Sequence, residues 1–304
     1  MNEAVCILIP NYNGVKLLQS SLGTVMSLGM PVVVIDDAST DASVSMLREE
    51  FPDVRVIARA ANGGFSAAVN DGIRATECEF MILLNNDVQV TPQFLESVMP
   101  LFEDETVFAV SPSIVLRERG DLDEGCKTAF WRHGIMYMDQ RQDVSQVTPV
   151  LYATGCAAVY RRSMLESLNG FDEAYSPFYF EDADLGYRAW KRGWKSLYQP
   201  RSVVYHKHSA SISKLNSGFT ARIRARNQLF FIWRNIEDRD LLMRHRRWLP
   251  LVLLRRLVVG DTAFAAGWRE AYSRRDEAAV ARENDSRYRV LNDREILETT
   301  GVRC

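Results

Sequence analysis

The first third of the chain alternates short, uninterrupted apolar runs with longer amphipathic stretches, and no other feature restricts the fold as strongly. Residues 5–10, 32–35, 54–58 and 80–84 read as strands, and 15–28, 39–51 and 64–76 read as the helices between them. Ser39 and the aspartates beside it are capping candidates for the second helix. A strand without polar alternation is buried on both faces, the pattern of a largely parallel sheet covered by helices. Such sheets bind ligands outside the carboxyl ends of their strands. Polar clusters stand at those ends after strands one, two and four: Asn11-Tyr12-Asn13, Asp36-Asp37 and Asn85-Asn86-Asp87.

Further on, the pattern predicts a helix over 92–102, a strand near 107–110 and a long polar excursion over 117–143. The small apolar run 152–160, interrupted by Gly155, is expected to return to the sheet. A short helix over 163–168 should end at Asn169-Gly170, and a helix over 182–192 at Gly193, a common C-terminal glycine. Short strands are expected at 196–198 and 203–205. Beyond about Ser211 the chain turns helical, first aromatic-rich (222–236), then mixed basic and apolar (241–259), then polar from Gly267. The 304 residues therefore divide into an α/β domain, 1–212, and a helical C-terminal extension, 213–304.

The net charge of −2 excludes a globally basic nucleic-acid binder. It conceals an asymmetry: residues 222–256 hold 10 Arg and 3 acidic residues, a local net of +7, which leaves −9 elsewhere. That stretch reads as a surface for anionic lipid, as a helical subdomain with solvated arginines, or as a dimer interface. Five cysteines, widely spaced and without a CxxC pair, argue against a disulfide framework and a structural zinc site. Cys6 and Cys156 read as plain core residues, and a reducing compartment follows. No basic leader precedes the first strand, and no apolar run approaches the ~18 residues of a membrane span.

Five clusters could carry chemistry. Asp87, after Asn85-Asn86, is placed to hold a hard divalent cation such as Mg2+ or Mn2+, unless the triplet is only a strand-ending turn. Asp36 could accept hydrogen bonds from a base or ribose, or cap a helix. Asn62-Gly63-Gly64 opens a helix and would let backbone approach a phosphate, although there is no GxGxxG. Glu181, Asp182 and Asp184 crowd a helix start behind Phe178-Tyr179-Phe180. They are either a charged first turn or a sugar pocket with a general base. His206 and His208 lie on one side of an extended segment and could complete a metal site with Asp87.

In order along the chain, VCILIPNYNG, VVVIDDASTD, NGGFSAAVNDGI, MILLNNDV, ATGCAAVYRRS, GFDEAYSPFYFEDADLGYRAWKRGW and YHKHSAS resemble the family 2 inverting glycosyltransferases over about residues 5–211. The likeness is to the bacterial rhamnosyltransferase-like and galactofuranosyltransferase-like branch. It implies a glycosyltransferase A fold, a Rossmann-like α/β domain holding a nucleotide-sugar and a divalent metal. By this resemblance Asp36 contacts the nucleobase, with Pro10, Asn11 and Tyr12 lining the same pocket and Asn62 and Gly64 beside base and ribose. Asn85-Asn86-Asp87 matches the Asp-x-Asp motif, with Asn85 replacing the first Asp and Asp87 as metal ligand. His206 matches the late metal-binding His, with His208 as the alternative. Asp182 matches the catalytic base, and Gly155, Glu181, Asp184 and Trp190 fall on the acceptor side.

The implied activity is metal-dependent transfer of a sugar, rhamnose foremost, from a nucleotide-diphosphate donor to a hydroxyl of a growing, lipid-linked surface glycan. The expected setting is cytoplasmic, with peripheral attachment to the inner membrane face through 222–256. A sugar nucleotidyltransferase would need a basic Gly-rich loop after strand one, and residues 10–14 contain no Lys or Arg. A non-catalytic glycan-binding scaffold would have no use for Asp87, Asp182 and His206.

Overall fold

A computed structural model describes residues 4–207 and 217–303. The apolar runs form β1 (Val5–Asn11), β2 (Val32–Asp36), β3 (Arg55–Ala58) and β4 (Phe80–Leu84), parallel to one another in the order β4-β1-β2-β3. Helices α1 (Val15–Met26), α2 (Ser43–Glu50) and α3 (Phe65–Arg74) connect them. Side chains alternate across β1: Ile7 and Ile9 join one core layer with Leu18 and Leu22, while Cys6 and Leu8 join the opposite layer with Val69 and Ile73.

Past β4 the sheet becomes mixed. The short β5 (Val88–Val90) follows, then β6 (Val107–Leu116), which is longer than the pattern predicted. Strand β11 (Ala157–Arg161) runs antiparallel between β4 and β6, and β12 (Lys195–His206) runs parallel to β6. The two strands expected at 196–198 and 203–205 are this single β12, irregular between Gln199 and Val203. The helix expected over 92–102 is only a 3-10 segment, Met99–Glu103. Pro100 removes a backbone donor and crowds the preceding turn there.

The 117–143 excursion contains a hairpin that its polar sequence hid. It adds β7 (Leu122–Asp123) to β6, then β8 (Lys127–Arg132) pairs antiparallel with β9 (Ile135–Gln140). His133 and Gly134 make the turn at φ 50° and 70°, as a two-residue hairpin demands. Strand β10 (Thr148–Pro149) then closes the edge against β12. Helices α4 (Arg162–Ser167) and α5 (Glu181–Lys191) lie between β11 and β12 in sequence.

The C-terminal third comprises α6 (Ser217–Asn235), α7 (Arg239–Val258), α8 (Thr262–Ser273), α9 (Arg275–Ser286) and α10 (Asp293–Thr299). These helices do not stand apart. Phe230, Phe231, Ile296 and Val302 share one core with Tyr152, Tyr187, Trp190 and the hairpin residues Ile135 and Met136. The chain end is stitched to the hairpin by Trp131 N–H donating to the Arg303 carbonyl, 2.8 Å.

The cysteines depart from expectation. Cys6 and Cys78 form a disulfide between β1 and the entry to β4, with Cα atoms 5.8 Å apart. Parallel pairing of β1 with β4 brings together residues 72 apart in sequence, which spacing alone does not reveal. The reducing-compartment reading assumed unpaired thiols and loses that basis. Cys156 is free but half-buried rather than a plain core residue.

Candidate active site

The carboxyl ends of β1, β2 and β4 are tied by a polar chain. Asp36 Oδ1 accepts from Asn11 Nδ2 (2.9 Å) and Ser39 Oγ (2.6 Å), and Asn86 Nδ2 donates to Asn11 Oδ1 (2.7 Å). Register dictates the first link, because Asn11 and Asp36 are Cα partners in the ladder. Gly14 must lack a side chain: a Cβ there would lie 2.2 Å from Asn86 Nδ2. Beside this chain Tyr12 is 47% exposed, a free aromatic face at the strand end. Asp36 itself is 1% exposed, and both its oxygens accept hydrogen bonds from Asn11 and Ser39.

Asp37, a helix-capping candidate by sequence, fixes the glycine loop. Its carboxylate accepts from Gly63 N–H (2.9 Å) and Gly64 N–H (2.8 Å), and it pairs with Arg59, which also reaches Asp71 at 2.6 Å. Asn62 Nδ2 donates to the Asp37 carbonyl, 3.2 Å. Gly64 holds φ 85°, and a Cβ on it would sit 2.9 Å from Ser176 Oγ and 3.1 Å from the Pro177 carbonyl. The loop therefore touches the segment that leads to Glu181 and Asp182.

His206 meets Asp87 through strand pairing: β5 runs antiparallel to β12 with Val88 opposite His206. His206 Nε2 lies 3.2 Å from Asp87 Oδ1, a buried oxygen. Among the described residues no three His, Cys, Asp or Glu side chains are grouped to hold a metal by themselves. One carboxylate and one imidazole suit a cation that takes its remaining ligands from water and phosphate oxygens, as Mg2+ and Mn2+ do. His208 lies outside the described residues.

Asp182 opens α5. Its Oδ2 accepts from Gly155 N–H at 3.1 Å, and Oδ1 from Ala183 N–H at 2.8 Å. The next carbonyl, that of Cys156, accepts from Asn85 N–H at 2.8 Å. The Gly155–Cys156 pair thus joins the Asp182 carboxylate to the Asn85–Asp87 turn. A Cβ on Gly155 would lie 2.9 Å from the Phe65 ring, so the close approach depends on glycine. Burial raises the Asp182 pKa above the ordinary carboxylate value, although Gly155 N–H opposes it. Glu181 is raised further, by burial and then by Asp182, and its Oε2 is buried without a hydrogen bond among the described residues. Raised carboxyl pKa values at a ligand edge suit proton transfer near neutral pH.

Two residues expected on the acceptor side are buried. Asp184 is 0% exposed and bonds Arg188 Nε (2.6 Å), Asn235 Nδ2 (2.8 Å) and the Tyr175 hydroxyl (3.0 Å). Trp190 is buried, and its Nε1 donates to the Val150 carbonyl at 3.0 Å. On a helix, residues two apart face different ways. Asp182 faces the edge, and Asp184 faces the core shared with the C-terminal helices.

A mixed, mostly parallel sheet flanked by helices, with a polar chain after β1 and β2, an Asp–His pair after β4 and two adjacent carboxylates at a helix start, has the glycosyltransferase A fold. The comparisons agree. Residues 6–168 match the Glycosyl transferase family 2 model, and the chain belongs to that family. A pre-mycofactocin glycosyltransferase of Mycobacterium tuberculosis is 31% identical over 216 residues, 68% of this chain and 43% of the relative's length. An N-acetylglucosaminyl-diphospho-decaprenol L-rhamnosyltransferase of the same organism is 29% identical, over 64% of this chain and 72% of that protein. Among solved structures, the mannosyltransferase PcManGT from Pyrobaculum calidifontis, in complex with GDP-Man and Mn2+, aligns over 99% of this chain and 85% of its own at TM-score 0.56 and 18% identity. TarS 1-349 from S. aureus, in complex with UDP-GlcNAc, aligns over 97% and 90% at TM-score 0.58 and 14% identity.

Proposed function

We propose that the chain is a metal-dependent inverting glycosyltransferase that moves a sugar, rhamnose foremost, from a nucleotide-diphosphate donor to a hydroxyl of a lipid-linked glycan. The observation that carries this is the Gly155–Cys156 pair, which bonds Asp182 on one side and the Asn85–Asp87 turn on the other. Tyr12, Asn62 and the Asp36–Asn11–Asn86 chain frame the nucleoside. Asp87 and His206 would hold Mg2+ or Mn2+, which supplies positive charge to the departing diphosphate. Asp182 removes the proton from the acceptor hydroxyl, and that oxygen attacks the anomeric carbon as its bond to the diphosphate breaks. One displacement inverts the centre. Rhamnose and a lipid-linked acceptor are favoured by the rhamnosyltransferase relative, whose own acceptor is decaprenol-linked.

A thermal-shift and hydrolysis screen tests the reading. The panel is deoxythymidine-diphosphate rhamnose, uridine-diphosphate galactofuranose, glucose and N-acetylglucosamine, and guanosine-diphosphate mannose, each with and without Mn2+. One donor at 100 times its Kd should stabilise the protein by about 2.7 kcal/mol. Asp87→Ala should abolish the Mn2+-dependent part. Silence across the panel ends the proposal.

The acceptor's lipid is supported by α7. Met243, Leu251, Leu254 and Val258 are 47–78% exposed on the face that also carries exposed Arg244, Arg247 and Arg255. Beside it, an apolar groove of about 830 Å³ is lined by Phe219, Leu253, Leu257 and Trp268, with Arg222 and Arg269 at hand. No described helix is long and apolar enough to cross a membrane. An apolar face fringed with arginine suits the interface of an anionic bilayer, each surface Arg contributing about 1 kcal/mol. The protein should co-sediment with phosphatidylglycerol-rich vesicles at low salt and not with pure phosphatidylcholine. The double substitution Leu251→Asp/Leu254→Asp should prevent binding at unchanged Tm. Equal recovery with both vesicle types, or none, removes this surface from the proposal.

A further inference from the structure

The turn that delivers Asp182 is strained. Tyr179 and Phe180, the two residues before Glu181, hold φ 75° and 76°. L-residues adopt this left-handed region at about 1–2 kcal/mol each, and aromatic residues have no local hydrogen bond to compensate. Such strain persists only where the surroundings over-determine it.

The restraint comes from the C-terminal third. Asn227 on α6 is 1% exposed. Its Nδ2 lies 2.7 Å from the Tyr175 carbonyl, 2.9 Å from that of Phe178 and 2.8 Å from that of Tyr179. Arg226 Nε donates to Asn227 Oδ1 at 2.8 Å, which fixes the amide's orientation, and its guanidinium reaches the Ser176 carbonyl. The Arg224 guanidinium lies 4.6 Å from the Tyr179 ring centroid. At the far end of the same helix Asn235 holds Asp184. Helix α6 therefore grips the chain on both sides of Asp182.

We propose that Asn227 is a positioning residue for the reaction: its amide holds the 175–180 turn in the conformation that keeps the Asp182 carboxylate on Gly155 N–H. The inference rests on Asp182 being the base. It makes α6 part of the catalytic apparatus, although the family match ends at residue 168.

The test is a double-mutant cycle on the full chain, reading Mn2+-dependent hydrolysis across the nucleotide-sugar panel. Asn227→Ala should lower kcat by about 10²-fold, the cost of a misplaced catalytic group. Donor KM should stay within about twofold, because Asp37 holds the Gly63–Gly64 loop independently of the turn. The double variant Asn227→Ala/Asp182→Asn should be no slower than Asp182→Asn alone, since both changes disable one group. Hydrogen exchange by mass spectrometry supplies a readout independent of turnover: amides of 178–183 should exchange faster in Asn227→Ala, with β1 and β4 unchanged. Should Asn227→Ala fold poorly, Asn227→Ser, which retains one donor, should give an intermediate kcat.

Losses that multiply in the double variant, a kcat within twofold of wild type, or unaltered exchange at 178–183 would each overturn the role of Asn227. A near-wild-type rate for Asp182→Asn would instead overturn the base assignment on which it rests.

Discussion

Replacing Asp182 with Asn is expected to lower kcat by about 10²–10⁴-fold, the contribution of a positioned general base. Donor affinity should be retained, because the proposed nucleoside site is built on β1, β2 and the Gly63–Gly64 loop, not on α5. The fold should also survive. Asn keeps the size of Asp, and its Oδ1 can still accept from Gly155 N–H, the 3.1 Å bond of the carboxylate. Removing a half-buried negative charge beside Glu181 relieves a repulsion as well. The wild-type pH profile supplies the second half of the argument. The base acts when ionised, and burial raises its pKa above the ordinary Asp value of 3.8. The rate should therefore fall with decreasing pH while ordinary surface carboxylates are still ionised. That acid limb should be missing from the residual activity of Asp182→Asn. A variant that transfers sugar at near wild-type rate, or keeps the limb, would show that another group takes the proton.

The parts of this site that sequence revealed are those set by local pattern. The runs at 5–10, 32–35 and 80–84 are apolar on every residue, which permits only a strand covered on both sides, so their carboxyl ends were legible as a ligand edge. Asp87 and His206 stood out because each is a polar residue at a strand end, and the fold sets them 3.2 Å apart. Long-range partners were not. Asp182 and Asp184 look alike in the run Glu-Asp-Ala-Asp. What separates them is Gly155 on one side and Asn235 on the other, and neither is close in sequence. The Cys6–Cys78 pairing depends on strand register, and the β8–β9 hairpin on the core that its Ala129, Ile135 and Met136 share with the C-terminal helices. Asn227 carried no signal, since one polar residue in an aromatic helix reads as surface. A backbone turn without a glycine to permit it was the remaining clue, and that appears only in three dimensions.

The same Asp-to-Asn change two residues later should produce the opposite phenotype. Asp184 is 0% exposed and compensates Arg188 at 2.6 Å and Arg234 at 3.3 Å, both buried guanidinium groups. Breaking a buried pair from one side leaves an uncompensated charge and costs about 3–5 kcal/mol. Arg234 retains Asp172 and Asp285, and Arg188 retains the Leu168 and Gly170 carbonyls, so the lower end, about 3 kcal/mol, is expected for Asp184→Asn. In a chain of this length that corresponds to a Tm lower by roughly 5–10 °C. Activity of the folded fraction, measured well below Tm, should stay within a few-fold of wild type, because Asp184 faces away from the edge. The pH dependence has a definite sign. Burial would raise the Asp184 pKa, but Arg234, Arg188 and Asn235 outweigh it and lower the pKa below 3.8. The group's stabilisation is thus complete above pH 3.8 and disappears as pH falls through the lowered value. The Tm gap between wild type and Asp184→Asn should accordingly be full at pH 7 and narrow in strong acid. A Tm within about 2 °C of wild type at pH 7, or a loss of turnover with stability intact, would return Asp184 to the acceptor side.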